Sequence, residues 1–191
     1  MPPRSGERKT QILQLIAQML ESPKGEKVTT AALAARLDVS EAALYRHFAS
    51  KAQMFEGLIE FIESSVFGLI NRITADEADG MKQLHAIAAM LLGFAAQNPG
   101  MTRVLIGDAL VNENERLQAR INSLTEKIEA SLKQSLRVAV SQGRLPETLD
   151  VAAQANALMC YVIGRWHQFA KSGFKKSPTE NLERQLPLLL G

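Results

Sequence analysis

A single cysteine, Cys160, stands among the 191 residues, so no disulfide can form within the chain. It lies in an apolar helical run and reads as a small core residue. Aromatic residues make up only 5% of the chain. Alanine and leucine are abundant instead, and an aliphatic core of that kind belongs to helical proteins. No apolar run approaches the ~18 residues that a membrane span needs. The opening MPPRSGERKT holds no apolar stretch of a secretory signal, so a cytoplasmic location is expected. Catalytic signatures are missing too. There is no Walker loop, no dinucleotide fingerprint and no G-x-S-x-G elbow. The histidines His47, His85 and His167 have no metal-ligand spacing, and no base neighbours Cys160 in sequence. Neither catalysis, nor a cofactor, nor a metal centre is expected.

Charge of one sign is nearly balanced, with a formal net charge of +2. Its distribution is less even. Residues 1–51 carry eight Lys or Arg against five Asp or Glu. A basic first quarter suits a polyanionic partner, although a plain solvated surface explains it as well.

What is present is helical periodicity, without strand pattern or internal repeat. The expected fold is all-α: an N-terminal three-helix helix-turn-helix domain and a C-terminal helical-bundle dimerisation domain, about nine helices in all. An N-terminal arm and DNA-binding domain would occupy 1–52, with the helix-turn-helix at 29–48. Residues 53–191 would form the dimerisation and partner-binding domain. Residues 1–8 read as a mobile arm that either reaches a DNA groove or is a frayed end. A first helix is predicted over Lys9–Leu20, broken by Pro23 and Gly25. A long fourth helix from Lys51 to about Ile73 carries a stripe of Phe55, Leu58, Ile59, Ile62, Val66, Leu69 and Ile73. Helices follow over 81–97, 101–110, 113–142, 150–171 and 179–190. The 113–142 helix reads as an amphipathic helix on a core or as a coiled-coil seam.

The stretch TTAALAARLDVSEAALYRHFASK, Thr29–Lys51, organises the rest. Thr29 is placed to cap one short helix and Ser40 the next, with Asp38-Val39 as the turn. Ser50 and Gln53 have the spacing of a capping box for the fourth helix. Leu33, Ala34, Leu37, Val39 and Leu44 would form the small core. That leaves Thr29, Thr30, Ser40, Ala42, Ala43 and Tyr45 for DNA, with Arg46, His47 and Lys51 suited to phosphates. Alanines on a reading helix allow close approach and contact with thymine methyls. No Arg, Asn or Gln stands at the helix start, so shape and phosphate contacts should carry much of the affinity. The last two long helices would make the dimer contact through Ala155, Leu158, Val162, Trp166, Leu182, Leu186 and Leu189.

The stretch LDVSEAALYRHFASK resembles the TetR family of bacterial DNA-binding proteins. That family's pattern, G-V-S-x-x-x-L-Y-x-H-F-x-x-K, is met by Val39, Ser40, Leu44, Tyr45, His47, Phe48 and Lys51. Asp38 stands where the family usually has glycine. The resemblance implies phosphate contacts at Tyr45, His47 and Lys51, and a helical C-terminal dimerisation domain. GFAAQNPGMTRVLIGDAL and ERLQARINSLTEKIEASLKQSLR resemble, more narrowly, the nucleoid-occlusion branch of the family. Such proteins bind palindromic chromosomal sites as dimers and antagonise polymerisation of FtsZ, the tubulin-like division protein. The resemblance would place the FtsZ-binding face at Phe61, Leu69, Met90, Gly93, Gln97 and Asn98. Leu69 and Gln97 stand where that branch is expected to carry basic residues. The alternative is a ligand-responsive repressor, with an apolar effector among Met90, Phe94, Trp166 and Phe169. A protein-interaction module with incidental DNA binding is a third.

Overall fold

The computed structural model describes residues 5–22 and 27–190, and all regular structure among them is helical. The helices are α1 (Ser5–Leu20), α2 (Thr30–Arg36), α3 (Glu41–Tyr45), α4 (Lys51–Asp76), α5 (Gly80–Gln97), α6 (Pro99–Leu105), α7 (Glu115–Ser141), α8 (Val151–Lys171) and α9 (Leu182–Leu190). A single 3-10 turn, Asp108–Leu110, lies between α6 and α7.

Several bounds differ from the periodicity, each for a local reason. α1 begins at Ser5, so residues 5–8 of the expected arm are helical. Glu7 favours the positive end of that helix, and the Thr10 hydroxyl donates to the Gly6 carbonyl at 3.2 Å. Residues 1–4 of the arm, and the helix break at Pro23 and Gly25, lie outside the described residues. α6 stops at Leu105, ahead of Gly107 in the left-handed region at φ +77°. α9 starts at Leu182, because Asn181 at φ 63° interrupts the turn that begins at Pro178.

Contacts group the chain into two compact units. One comprises the described residues up to Ile62 together with Asn98–Ile121; the other comprises Glu63–Gln97 and Asn122 onward. The first unit thus joins two stretches that are far apart in sequence. The cause is α6, which packs on α1. A Cβ built on Gly100 would lie 1.9 Å from the Ala17 carbonyl oxygen, so the two backbones touch there. Arg103, buried beside this contact, donates to Asp108 at 2.8 Å and to the Ser22 carbonyl at 3.1 Å. Ile12, Ile16, Leu33, Leu44, Phe55, Leu58, Ile59 and Val104 are fully buried in the core of this first unit.

In the second unit α5 packs on α8, and the Trp166 indole nitrogen donates to the Leu91 carbonyl at 3.1 Å. Gly80 starts α5 against α7, where a Cβ would meet the Ala139 nitrogen at 2.3 Å. Asp79 caps α5 by accepting from the Met81 and Lys82 amides, and it pairs with Arg144 at 2.8 Å. The Lys82 amide and the Arg144 guanidinium hold its carboxyl below the ordinary value, against burial pushing it up.

Several expected core positions change, Leu37 and Val39 of the reader among them, both half-buried. On α4 the stripe continues through buried Ile70, leaving Leu69 exposed and Ile73 half-buried. On α7 the buried end of the stripe is Ala139, with Val140 half-buried. Cys160 is exposed, not core. It lies two residues from Leu158 and from Val162, about 200° around the helix from both buried neighbours.

Candidate nucleic-acid interface

The helix-turn-helix is fixed by hydrogen bonds that its own sequence supplies. Thr29 is extended at φ −121°, and its hydroxyl accepts from the Ala32 amide at 3.1 Å. Ser40 does the same for α3, accepting from the Ala43 amide at 3.2 Å. Between them Asp38 takes φ 51°, the left-handed conformation that glycine would adopt most freely. Its neighbour's amide, Val39 N–H, closes the turn on the Ala34 carbonyl at 3.0 Å. Asp38→Gly is expected to relieve this conformation and raise stability by up to about 1 kcal/mol, offset in part by the looser unfolded chain. Chemical denaturation reads the change; a loss of stability would mean that the Asp38 side chain holds the turn.

Leu33 and Leu44 are buried at the contact of α2 with α3, and Val28 is buried with them. α4 then begins with Ser50 accepting from the Gln53 amide at 3.1 Å. Gln53 reaches back one residue further than the expected box, to the Ala49 amide at 2.8 Å.

The nine residues expected at DNA fall into two groups. Ser40, Ala42, Tyr45 and Arg46 are exposed, and Tyr45 keeps 45% of its surface in solvent. Ala43 and His47 are half-buried beside them. α3 ends at Tyr45, so Arg46 and His47 follow it in a turn. The remaining three bond to other groups of the protein. Thr29 is a half-buried cap. Thr30 donates to the Glu41 carboxylate at 2.5 Å and so ties α2 to α3. Lys51 pairs with Glu113, and its ammonium lies 5.7 Å over the Phe55 ring.

Glu41 and Glu113 were not among the sequence-derived site residues. Glu41 is legible as a favourable charge at a helix start, but its tie to Thr30 depends on how α2 and α3 cross. Glu113 lies 62 residues from Lys51, and no spacing rule connects them. Lys9 is a further missed cation; its ammonium lies 5.6 Å over the Phe48 ring, at the end of the reader.

Most of the residues expected at the dimer contact are buried within the protomer. Ala155, Leu158, Val162, Trp166, Leu182 and Leu186 are buried in the chain's own core, and Leu189 is half-buried. Their stripe is apolar because it packs inward on the rest of the second unit. The opposite face of α8 is exposed at Ala153, Ala157, Cys160, Gly164 and His167, spaced by three and four residues. On α9 Leu188 keeps 83% of its surface exposed.

The positions implied for an FtsZ face fall in both units. Phe61 belongs to the first and is half exposed. Asn98, also in the first, lines an open groove of about 310 Å³ with Gln14, Ala17, Gln18, Glu21 and Met101. In the second unit Leu69 and Gln97 are exposed, while Met90 and Gly93 are half-buried. Of the residues considered for an apolar effector, Trp166 and Phe169 are buried and Met90 and Phe94 half-buried. The Phe169 ring is capped edge-on by Phe174 at 5.1 Å. Among the described residues no group of three or more His, Cys, Asp or Glu could hold a metal ion. No helix among them is long and apolar enough to cross a membrane.

Comparison with known proteins agrees with this geometry. Residues 25–58 match the family model described as bacterial regulatory proteins, tetR family. Residues 78–191 match an SlmA-like model described as a tetracyclin repressor-like C-terminal domain. The chain is 50% identical to the nucleoid occlusion factor SlmA of Alteromonas mediterranea over 93% of this chain and 91% of that protein. It is 52% identical to the nucleoid occlusion factor SlmA of Shewanella oneidensis, over 93% of this chain and 90% of that one. A TetR-family transcriptional regulator from Agrobacterium tumefaciens shares the fold, with a TM-score of 0.76 at 19% identity, covering 95% of this chain and 98% of that structure.

Proposed function

Because the chain belongs to the TetR family, and within it to the group of nucleoid occlusion factors SlmA, we propose that it is a DNA-binding nucleoid occlusion factor that restrains division-ring assembly over the chromosome. The single observation that carries this reading is the identity of about half the residues over nearly the whole chain, reader and C-terminal helices alike. A likeness confined to residues 25–58 would have supported a DNA reader with any output.

In this reading the chain works as a dimer on palindromic chromosomal sites. Two copies of α3 would enter successive major grooves about 34–36 Å apart. Ala42 and Ala43 would let the backbone approach the bases, and Tyr45, Arg46, His47 and Lys51 would contact phosphates. Ser40 and Glu41 start the helix with no bidentate base grip. Such a reader suits many related sites better than one promoter. The dimer is supported by the exposed small-residue face of α8 and by Leu188, which together leave apolar surface for a second copy. FtsZ would be the partner, met through exposed apolar side chains such as Phe61 and Leu69. The protein would then sit on the nucleoid.

Sedimentation of FtsZ polymers tests the reading. With a specific palindromic duplex present, this protein is expected to shift FtsZ from pellet to supernatant, and much less so without DNA. An unchanged pellet under both conditions sinks it. The second reading, a ligand-responsive repressor, would gain from release of DNA on adding a small apolar metabolite. Against it, Trp166 and Phe169 are already packed in the interior.

A further inference from the structure

We propose that Glu113 is a built-in competitor for the DNA backbone at Lys51, so that a carboxylate outside the reader sets part of the DNA affinity. This rests on Lys51 being a phosphate contact. Lys51 is the first residue of α4, directly after the reader, and its ammonium pairs with the Glu113 carboxylate. The two side chains keep only 24% and 19% of their surface exposed, so water screens the pair less than a surface pair. The Phe55 ring beneath the ammonium holds it in place.

The carboxylate is positioned from its own side as well. Asn112 at φ 67° turns the chain, and the Glu113 amide donates to the Leu110 carbonyl at 3.0 Å. One step along, Arg116 on α7 pairs with Glu56 on α4 at 2.7 Å, fastening the same two segments. The fold therefore places Glu113 against Lys51 from both sides of the pair.

A phosphate arriving at Lys51 offers the same chemistry as Glu113: an oxyanion accepting from the ammonium. The two anions repel each other, and one ammonium cannot satisfy both at full strength. DNA must either draw Lys51 off Glu113 or bind beside a fixed negative charge. In both cases the carboxylate opposes binding. Drawing Lys51 away also releases one of the two ion pairs that join α4 to residues 113–116.

A double-mutant cycle on the full-length protein tests this, read by fluorescence anisotropy of a labelled duplex of random sequence over a range of salt. Glu113→Gln is expected to tighten binding about three- to tenfold with Lys51 present, and by less than about twofold in the Lys51→Ala chain. Glu115→Gln removes the same charge two residues on and is expected to change binding by less than about twofold. Equal tightening in both Lys51 backgrounds, or by Glu115→Gln, would reduce the effect to net charge and overturn the proposal. No tightening by Glu113→Gln, in a chain whose melting curve shows it folded, overturns it too. Lys51→Ala separates the two ideas: it should weaken binding and lower the salt slope by about one. If it changes neither, the phosphate contact itself is wrong.

Discussion

Gly164→Arg is expected to give a folded chain that sediments as a monomer and binds a two-half-site duplex at least about 100-fold more weakly. The substitution suits the protomer, because a Cβ on Gly164 meets no atom within 4 Å and the residue is exposed on α8. It does not suit a second copy packed on that face. Gly164, Ala157 and Ala153 are small enough for two helix backbones to approach closely, and an arginine there would put a charge and a long side chain into the contact. Losing the dimer removes the second half-site, and with it the effective concentration that a linked pair supplies. Val162→Arg makes the contrast. Val162 is fully buried, so that substitution should unfold the chain and not merely separate it. Analytical ultracentrifugation with circular dichroism distinguishes the cases. A Gly164→Arg dimer with unchanged DNA affinity would show that the copies meet elsewhere.

Gly100→Ala should be the most damaging single methyl in the first unit. The new Cβ would stand 1.9 Å from the Ala17 carbonyl oxygen and 2.8 Å from its carbon, both backbone atoms of α1. No side chain can rotate away to make room, so α6 must move off α1. Overpacking against backbone costs about 3 kcal/mol, or ~6–12 °C in Tm for a domain of this size. DNA binding should weaken as well, since α1 also packs on α2 of the reader. Gly68→Ala is the control. Nothing lies within 4 Å of its Cβ, and alanine in mid-helix should stabilise by about 0.5–1 kcal/mol. Equal melting temperatures for wild type and Gly100→Ala would contradict the close approach of the two helices.

These two glycines illustrate what could be read in advance and what could not. In sequence Gly164 is a small residue within a helix, and Gly100 lies in the break between two predicted helices. Only the fold leaves one in open solvent and presses the other against a carbonyl. The apolar stripe of α8 is a similar case. Its period is plain in the sequence, but a stripe cannot say whether it covers the chain's own interior or a partner. Here it covers the interior, and the other face is left outward. That face carries the small residues Ala153, Ala157 and Gly164, whose size permits close helix contact, but size alone does not say which neighbour they meet.

The sequence by itself determined the all-helical class, the caps at Thr29 and Ser40, the turn at Asp38 and the helix-turn-helix they enclose. Each depends on hydrogen bonds or steric limits between residues a few positions apart, and short-range rules reach that far. Tertiary structure alone decided which reader residues point at solvent. Thr30 turns to Glu41 eleven positions away and Lys51 to Glu113 sixty-two away, because helix crossings bring those groups together. The same crossings join Asn98–Ile121 to the N-terminal unit through Gly100. Local chemistry thus specified the reader, and long-range packing specified what holds Lys51 and which face of α8 stays exposed.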